Sequence, residues 1–144
     1  MRLYTIGFTK KSAEAFFGSL KMAGVKRVID VRLHNESQLA GFAKRRDLEY
    51  FLRSCHSIEY AHEPLLAPTE EMLLSYRKKR IGWDQYAAEF IALLRQREVQ
   101  TRVEPSILEN ACLLCSEARP EKCHRRLVAE YFSHHTNDLE IVHL

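Results

Sequence analysis

The residues with the most chemical capacity fall in one run of the 144-residue chain, Cys115-Ser116-Glu117-Ala118-Arg119-Pro120-Glu121-Lys122-Cys123-His124-Arg125-Arg126. As thiolates, Cys115 and Cys123 are nucleophiles, and Glu117 and His124 can move protons. Pro120 suits a first helical turn and Glu121 a helix N-terminus, so a helix is expected to begin near Pro120. At about 100° per residue, His124 centres the apolar arc of Leu127, Val128, Tyr131 and Phe132, with Cys123 and Arg125 on its flanks and Arg126 facing water. The N–H groups and positive end of that helix favour an anion and lower a thiol pKa. Arg125 would add bidentate contacts to a phosphate or carboxylate from a partly hydrated position.

A second constellation is Asp30-Val31-Arg32. Two positions apart on an extended strand, Asp30 and Arg32 share a face and can pair with each other or grip one ligand. A structural ion pair and a functional pair weigh about equally for these two alone, and the neighbouring motifs tip the reading to function.

A metal reading rests on Cys112-Leu113-Leu114-Cys115, which has C-x2-C spacing, with Cys123 and His124 to follow. A chelate of that spacing needs a turn, whereas strand positions three apart point to opposite faces. Cys112 therefore reads as a buried small hydrophobe. Cys115, Cys123 and His124 alone make an incomplete set, so no metal ligand is assigned and no stoichiometric structural zinc is expected.

The elements that position these groups alternate. Leu3–Ile6, Val28–Val31, Ala111–Leu114 and Leu139–Val142 read as strands, with Ser57–Tyr60 a weaker fifth. Helical spacing marks Ala13, Phe16, Phe17 and Leu20, with Ser12 as N-cap and Gly24 at the C-terminal end. It also marks Leu48, Phe51 and Leu52; Trp83, Tyr86, Ala87, Phe90, Leu93 and Leu94; and Leu127 to Phe132. Alternation of this kind predicts a three-layer α/β/α domain of Rossmann-like type, with a mainly parallel sheet of about five strands. Residues 1–144 read as one domain, free of repeats and linkers.

Ligands of such sheets bind beyond the carboxyl ends of the strands. Gly7, Asp30, Arg32, His62, Cys115, Glu117 and His143 all fall there. Asp30, Cys115, Glu117, Cys123 and His124 are the catalytic candidates. Gly7, Arg32, His62, Arg125 and His143 are the substrate-binding ones.

Composition excludes several classes. With 46% hydrophobic and 28% charged residues and only 5 Gly and 4 Pro, the chain is neither disordered nor fibrous. A formal charge of +3, from 22 Lys and Arg against 19 Asp and Glu, is too small for a nucleic-acid coat. No apolar run of membrane length or signal-peptide type is found, so a cytosolic protein with reduced thiols and no membrane partner is expected. Lys44-Arg45-Arg46, Tyr76-Arg77-Lys78-Lys79-Arg80 and Arg95-Gln96-Arg97 read as solvated faces, the first two also as a patch for nucleic acid. Trp83 reads as core. Cys55, His56, His134 and His135 read as helix ends.

Taken together, these residues resemble the domain of unknown function 488 family over nearly the whole chain. The resemblance is carried by Thr5-Ile6-Gly7, Asp30-Val31-Arg32 with Ser37 and Phe42, His62 and Pro64, Leu114-Cys115-Ser116-Glu117 with Pro120 and Cys123-His124-Arg125, and His143. Phe8 stands where the family commonly has histidine after the first glycine. No proline follows the aspartate-arginine pair at His34-Asn35, and Cys112 lies outside the motif. The resemblance implies a compact Rossmann-like domain of bacterial or archaeal origin, and no particular reaction.

Neither G-x-G-x-x-G after the first strand nor G-x4-G-K-[ST] occurs, and neither Cys115 nor Cys123 has the arginine of a C-x5-R phosphate loop. No cofactor is identified. The expected function is a small enzyme that hydrolyses or transfers a group of an anionic, nucleotide-like small molecule; the alternative is a noncatalytic module that binds nucleic acid or a ligand.

Overall fold

A computed structural model describes residues 1–36 and 40–144. Ser37, one of the residues carrying the family resemblance, lies outside the described residues. Five strands, β1 (Arg2–Gly7), β2 (Arg27–Asp30), β3 (Glu59–His62), β4 (Ala111–Cys115) and β5 (Glu140–His143), form one all-parallel sheet in the order β3-β2-β4-β1-β5. Each strand is joined to the next through helices, as parallel pairing demands. These are α1 (Ala13–Met22), α2 (Arg45–Tyr50), α3 (Glu70–Arg77), α4 (Trp83–Gln96), α5 (Val99–Arg102) and α6 (His124–His135).

Alternation along the strands divides the core in two. Leu3, Ile29, Val31, Ala111, Leu113 and Cys115 pack with Phe90 and Leu94 of α4 and with α6. Tyr4, Ile6, Val28, Cys112 and Leu114 pack with Phe16, Phe17 and Leu20 of α1 and with Leu48 of α2. The sheet is therefore the middle of three layers, and every residue of its central strand β4 is buried. This is the Rossmann-like arrangement expected from the alternating pattern.

Local signals account for the element ends. The Ser12 hydroxyl accepts from the Ala15 N–H at 3.1 Å and starts α1, while Gly24 at φ +71° closes it, a conformation costly for any residue with a Cβ. The weak fifth strand begins at Glu59 rather than Ser57, because Ser57 is left-handed at φ 54° and the Ile58 N–H still bonds back to the Leu52 carbonyl. Before it, α2 runs on as a single π-helical turn over Phe51–Cys55.

The helix expected near Pro120 instead begins at His124, with Cys123 as its N-cap. Pro120 accepts a turn hydrogen bond from the Cys123 N–H, so Glu117–Lys122 form a loop between β4 and α6. Among the described residues, no helix is long and apolar enough to cross a membrane.

Candidate functional site

The end of β4 and the start of α6 bring two thiols and an imidazole together. Cys115 closes β4 opposite Gly7 of β1 and points to the α4/α6 face, whereas Cys112 points to the α1 face. The predicted divergence of these two cysteines is thus realised. Cys123 and His124 open α6, and the ligand-capable atoms of Cys115, Cys123 and His124 all lie within 4.8 Å of one another.

His124 Nε2 is 2.7 Å from the Val31 carbonyl oxygen. A carbonyl only accepts, so Nε2 carries a proton and donates it to Val31, while Cys115 Sγ stands beside the ring, 3.6 Å from Nδ1 and 3.8 Å from Nε2. Phe90 holds the ring edge-on at 5.5 Å between centroids.

The two sulfurs differ. The hydrogen bond from Cys123 draws the Cys115 thiol below its usual pKa; burial opposes this, and the N–H groups of Ser116 and Glu117 and the charge of Arg125 reinforce it. Donating to Cys115, and burial, push Cys123 up. Burial alone pushes Cys112 up, which leaves it an inert core thiol.

Arg125 departs from the partly hydrated position expected of it: its relative exposure is 0%. With the helix starting at His124, its side chain runs beneath the loop. Nη1 donates to the Glu117 carbonyl at 2.6 Å and to Cys123 Sγ at 3.4 Å, and Nε reaches Thr5 Oγ1 at 3.4 Å. Nη2 is buried and unpartnered, and among the described residues no carboxylate forms an ion pair with Arg125. Arg126, expected to face water, instead pairs with Glu130 and lies over the Trp83 ring, 6.0 Å from its centroid.

Asp30 and Arg32 form a buried ion pair, with Arg32 Nε and Nη2 on the two carboxylate oxygens at 2.8 and 2.7 Å. Tyr60 and Asn35 also donate to Asp30, at 2.7 and 3.3 Å, and Arg32 donates to the Ala43 carbonyl. Burial raises the Asp30 pKa, but the Arg32 charge and these hydrogen bonds outweigh it and hold the carboxyl below its usual value. Phe8, at the family's histidine position, lies under Arg32 at 5.2 Å.

Strand parity separates Asp30 from the thiols. It lies in register with Leu114, which faces the α1 layer, while the next residue, Cys115, faces the other.

A cleft of ≈ 400 Å³ opens at the carboxyl edge on the α4/α6 side. Of Asp30, Arg32, Cys115, Glu117 and Arg125, which are expected to line one pocket, Arg32, Cys115 and Glu117 do and Asp30 and Arg125 do not; Cys123 and His124 join the lining, and Gly7 stays outside it. Gly7 and Arg125 lie behind the loop. His62 donates from Nε2 to the Arg32 carbonyl at 2.9 Å, and His143 meets Thr5 Oγ1 through Nδ1 at 2.7 Å, so both stand outside the lining.

The cleft also has a wall the sequence reading missed: Tyr76, Trp83 and Tyr86, with Arg77 and Lys122 beside them. Tyr76 stacks on Tyr86 at 4.8 Å, and Trp83 meets both. Trp83 is partly buried and packs against the α4/α6 core as expected, and its ring also lines the cleft. The signal available for this wall was the aromatic pair at i, i+3 on α4 and the aromatic residue heading the basic run at Tyr76.

The fold and this loop define a small three-layer α/β protein with a cysteine-histidine centre at its sheet edge. The chain belongs to the family described as Domain of unknown function DUF488, which matches residues 12–132. No curated protein and no solved structure gives a significant match.

Proposed function

We propose that the protein is an enzyme that hydrolyses or transfers a group of an anionic, ring-bearing and nucleotide-like substrate held in the cleft. One observation carries the reading: a thiol drawn toward thiolate, an imidazole anchored on a backbone carbonyl and the exposed Glu117 carboxylate meet in one open cleft. Structural cysteines buried in apolar surroundings are shifted the other way, as Cys112 is. Arg77 and Lys122 supply cations for the substrate anion, the Tyr76-Trp83-Tyr86 wall a face for a planar ring, and Glu117 a proton acceptor or donor. Asp30 serves this reading indirectly, as the anchor that orients Arg32 at the cleft edge. The same reading places the protein in the cytoplasm of a bacterial or archaeal cell, where reduced thiols persist.

Calorimetric titration with nucleoside monophosphates, nucleosides and inorganic phosphate tests it, followed by chromatography for turnover of whatever binds. The expected result is tighter binding of the monophosphate than of either part. Equal affinity for monophosphate and bare phosphate, unaffected by Trp83→Ala, would reject the ring subsite.

A noncatalytic nucleic-acid module is the second reading, favoured by the exposed run Arg77-Lys78-Lys79-Arg80 next to the aromatic wall. It requires single-strand affinity that falls steeply with salt and no turnover.

A further inference from the structure

We propose that Cys115, Cys123 and His124 bind one zinc-class divalent cation and leave its fourth coordination position open to the cleft. The inference deepens the reading of the cleft as a reaction site and rests on it, because it assigns the centre's reactive group. Two thiolates and one imidazole, with an open position, are the donor set of a catalytic rather than a structural zinc. Soft sulfur ligands favour zinc over magnesium or calcium. The sequence by itself counted these three as incomplete; three protein ligands and a free fourth position are what a catalytic ion requires.

The donor atoms are already gathered, those of Cys115, Cys123 and His124 lying within 4.8 Å of one another. Cys115 Sγ is 3.6 Å from His124 Nδ1 and 3.8 Å from Nε2, so the sulfur stands beside the ring, and the thiol or the ring must turn to meet an ion on the Nδ1 lone pair. A ligating histidine characteristically donates its other N–H to a backbone carbonyl or carboxylate, which fixes its tautomer. His124 does this to Val31 at 2.7 Å. The Arg125 Nη1 hydrogen bond to Cys123 Sγ at 3.4 Å adds an outer-shell contact to the second sulfur. All three ligands sit at the ends of rigid elements, β4 and α6, and all three line the cleft, so a water or substrate oxygen can reach the fourth position.

Cys112 takes no part, because it faces the opposite layer, and Cys55 is exposed away from the cleft. Such an ion would supply an acidified water at its open position, and the Glu117 carboxylate lining the same cleft would be the group placed to accept its proton.

The test uses the full chain, reduced and stripped of metal, titrated with Co²⁺ alone and then with Zn²⁺. The expected result is one Co²⁺ per chain with a tetrahedral ligand-field spectrum and thiolate-to-cobalt charge transfer, displaced by zinc. Cys115→Ser and His124→Gln should each weaken zinc binding by more than about tenfold, the lower end of what loss of even an outer-shell partner costs. Cys112→Ser and Cys55→Ser should bind as wild type does.

An octahedral wild-type spectrum without charge transfer overturns the inference whether or not any variant folds, as does binding that survives Cys115→Ser but not Cys55→Ser. Nucleoside monophosphate binding by the metal-free chain is measured in parallel. If it persists while cobalt fails to bind, only the metal inference falls; if cobalt binds and no nucleotide does, the substrate reading falls and the metal site stands.

Discussion

The Cα of Gly7 lies so close to the backbone carbonyl of Glu117 that a methyl group built on it would sit 1.7 Å from the oxygen. That same oxygen accepts the 2.6 Å hydrogen bond from Arg125, whose Nη1 would be 3.0 Å from the added carbon. Gly7 therefore admits the loop that carries Glu117, and the loop holds Arg125. Gly7→Ala should destabilise the fold by about 1–3 kcal/mol or more, as overpacking does where backbone rather than a flexible side chain must move. Urea denaturation would show it as a lowered midpoint, and unchanged stability would mean that the loop yields freely.

Arg125→Ala is expected to cost stability, in contrast to what a partly hydrated substrate arginine would do. It leaves the Glu117 carbonyl unpaired, at about 1–3 kcal/mol, and opens a cavity under the loop. Arg126→Ala should cost less, because its ion pair with Glu130 is partly exposed. Thermal melts of the two variants compare them directly, and a larger loss for Arg126→Ala would contradict the assignment.

Cys115 should alkylate at lower pH than an ordinary thiol in the metal-free protein. Its pKa is lowered first by Cys123, against burial, and then by backbone N–H groups and Arg125, so the reactive thiolate is populated earlier as pH rises. Cys123→Ala should move the alkylation profile upward in pH, and Arg125→Met should move it the same way by less. Iodoacetamide rates read at Cys115 by mass spectrometry, with exposed Cys55 as the internal reference, check this.

The Asp30–Arg32 pair should make stability depend on acid pH. The carboxyl pKa is lower folded than unfolded, so the pair contributes fully above the unfolded value of about 3.9 and is lost as pH falls through the folded value. Asp30→Ala should cost about 3–5 kcal/mol at neutral pH by leaving Arg32 buried and unpaired. Urea midpoints at neutral and acid pH, compared with those of Asp30→Asn, would show a flatter pH dependence in the variant if the sign is right.

Trp83→Ala and Lys122→Ala should damage different parts of ligand recognition. Loss of the ring face is expected to cost nucleoside monophosphate affinity by about 1–3 kcal/mol while leaving phosphate binding intact. Loss of the Lys122 cation should cost both ligands by about 1.5–3 kcal/mol. Calorimetry on the two variants separates them, and a uniform loss for Trp83→Ala would remove the case for stacking.

Local chemistry by itself determined the layered fold, the Ser12 cap, the Gly24 stop and the divergence of Cys112 from Cys115, because strand parity, helical spacing and capping act within a few residues. It also marked the loop from Cys115 to Arg125 as the chemical centre. Only the tertiary structure decided which marked residues meet. Asp30 and Cys115 both stand at the carboxyl edge, yet adjacent register positions send them to opposite faces, and register is a property of paired strands.

The helix starts at His124 rather than near Pro120, and Arg125 is buried rather than on the rim; the loop in place of that first turn packs over Gly7, a contact between residues far apart in the chain. The aromatic wall went unread for the same reason. Tyr76 and Trp83 are ordinary amphipathic-helix residues until α3 and α4 are packed beside the β4–α6 loop.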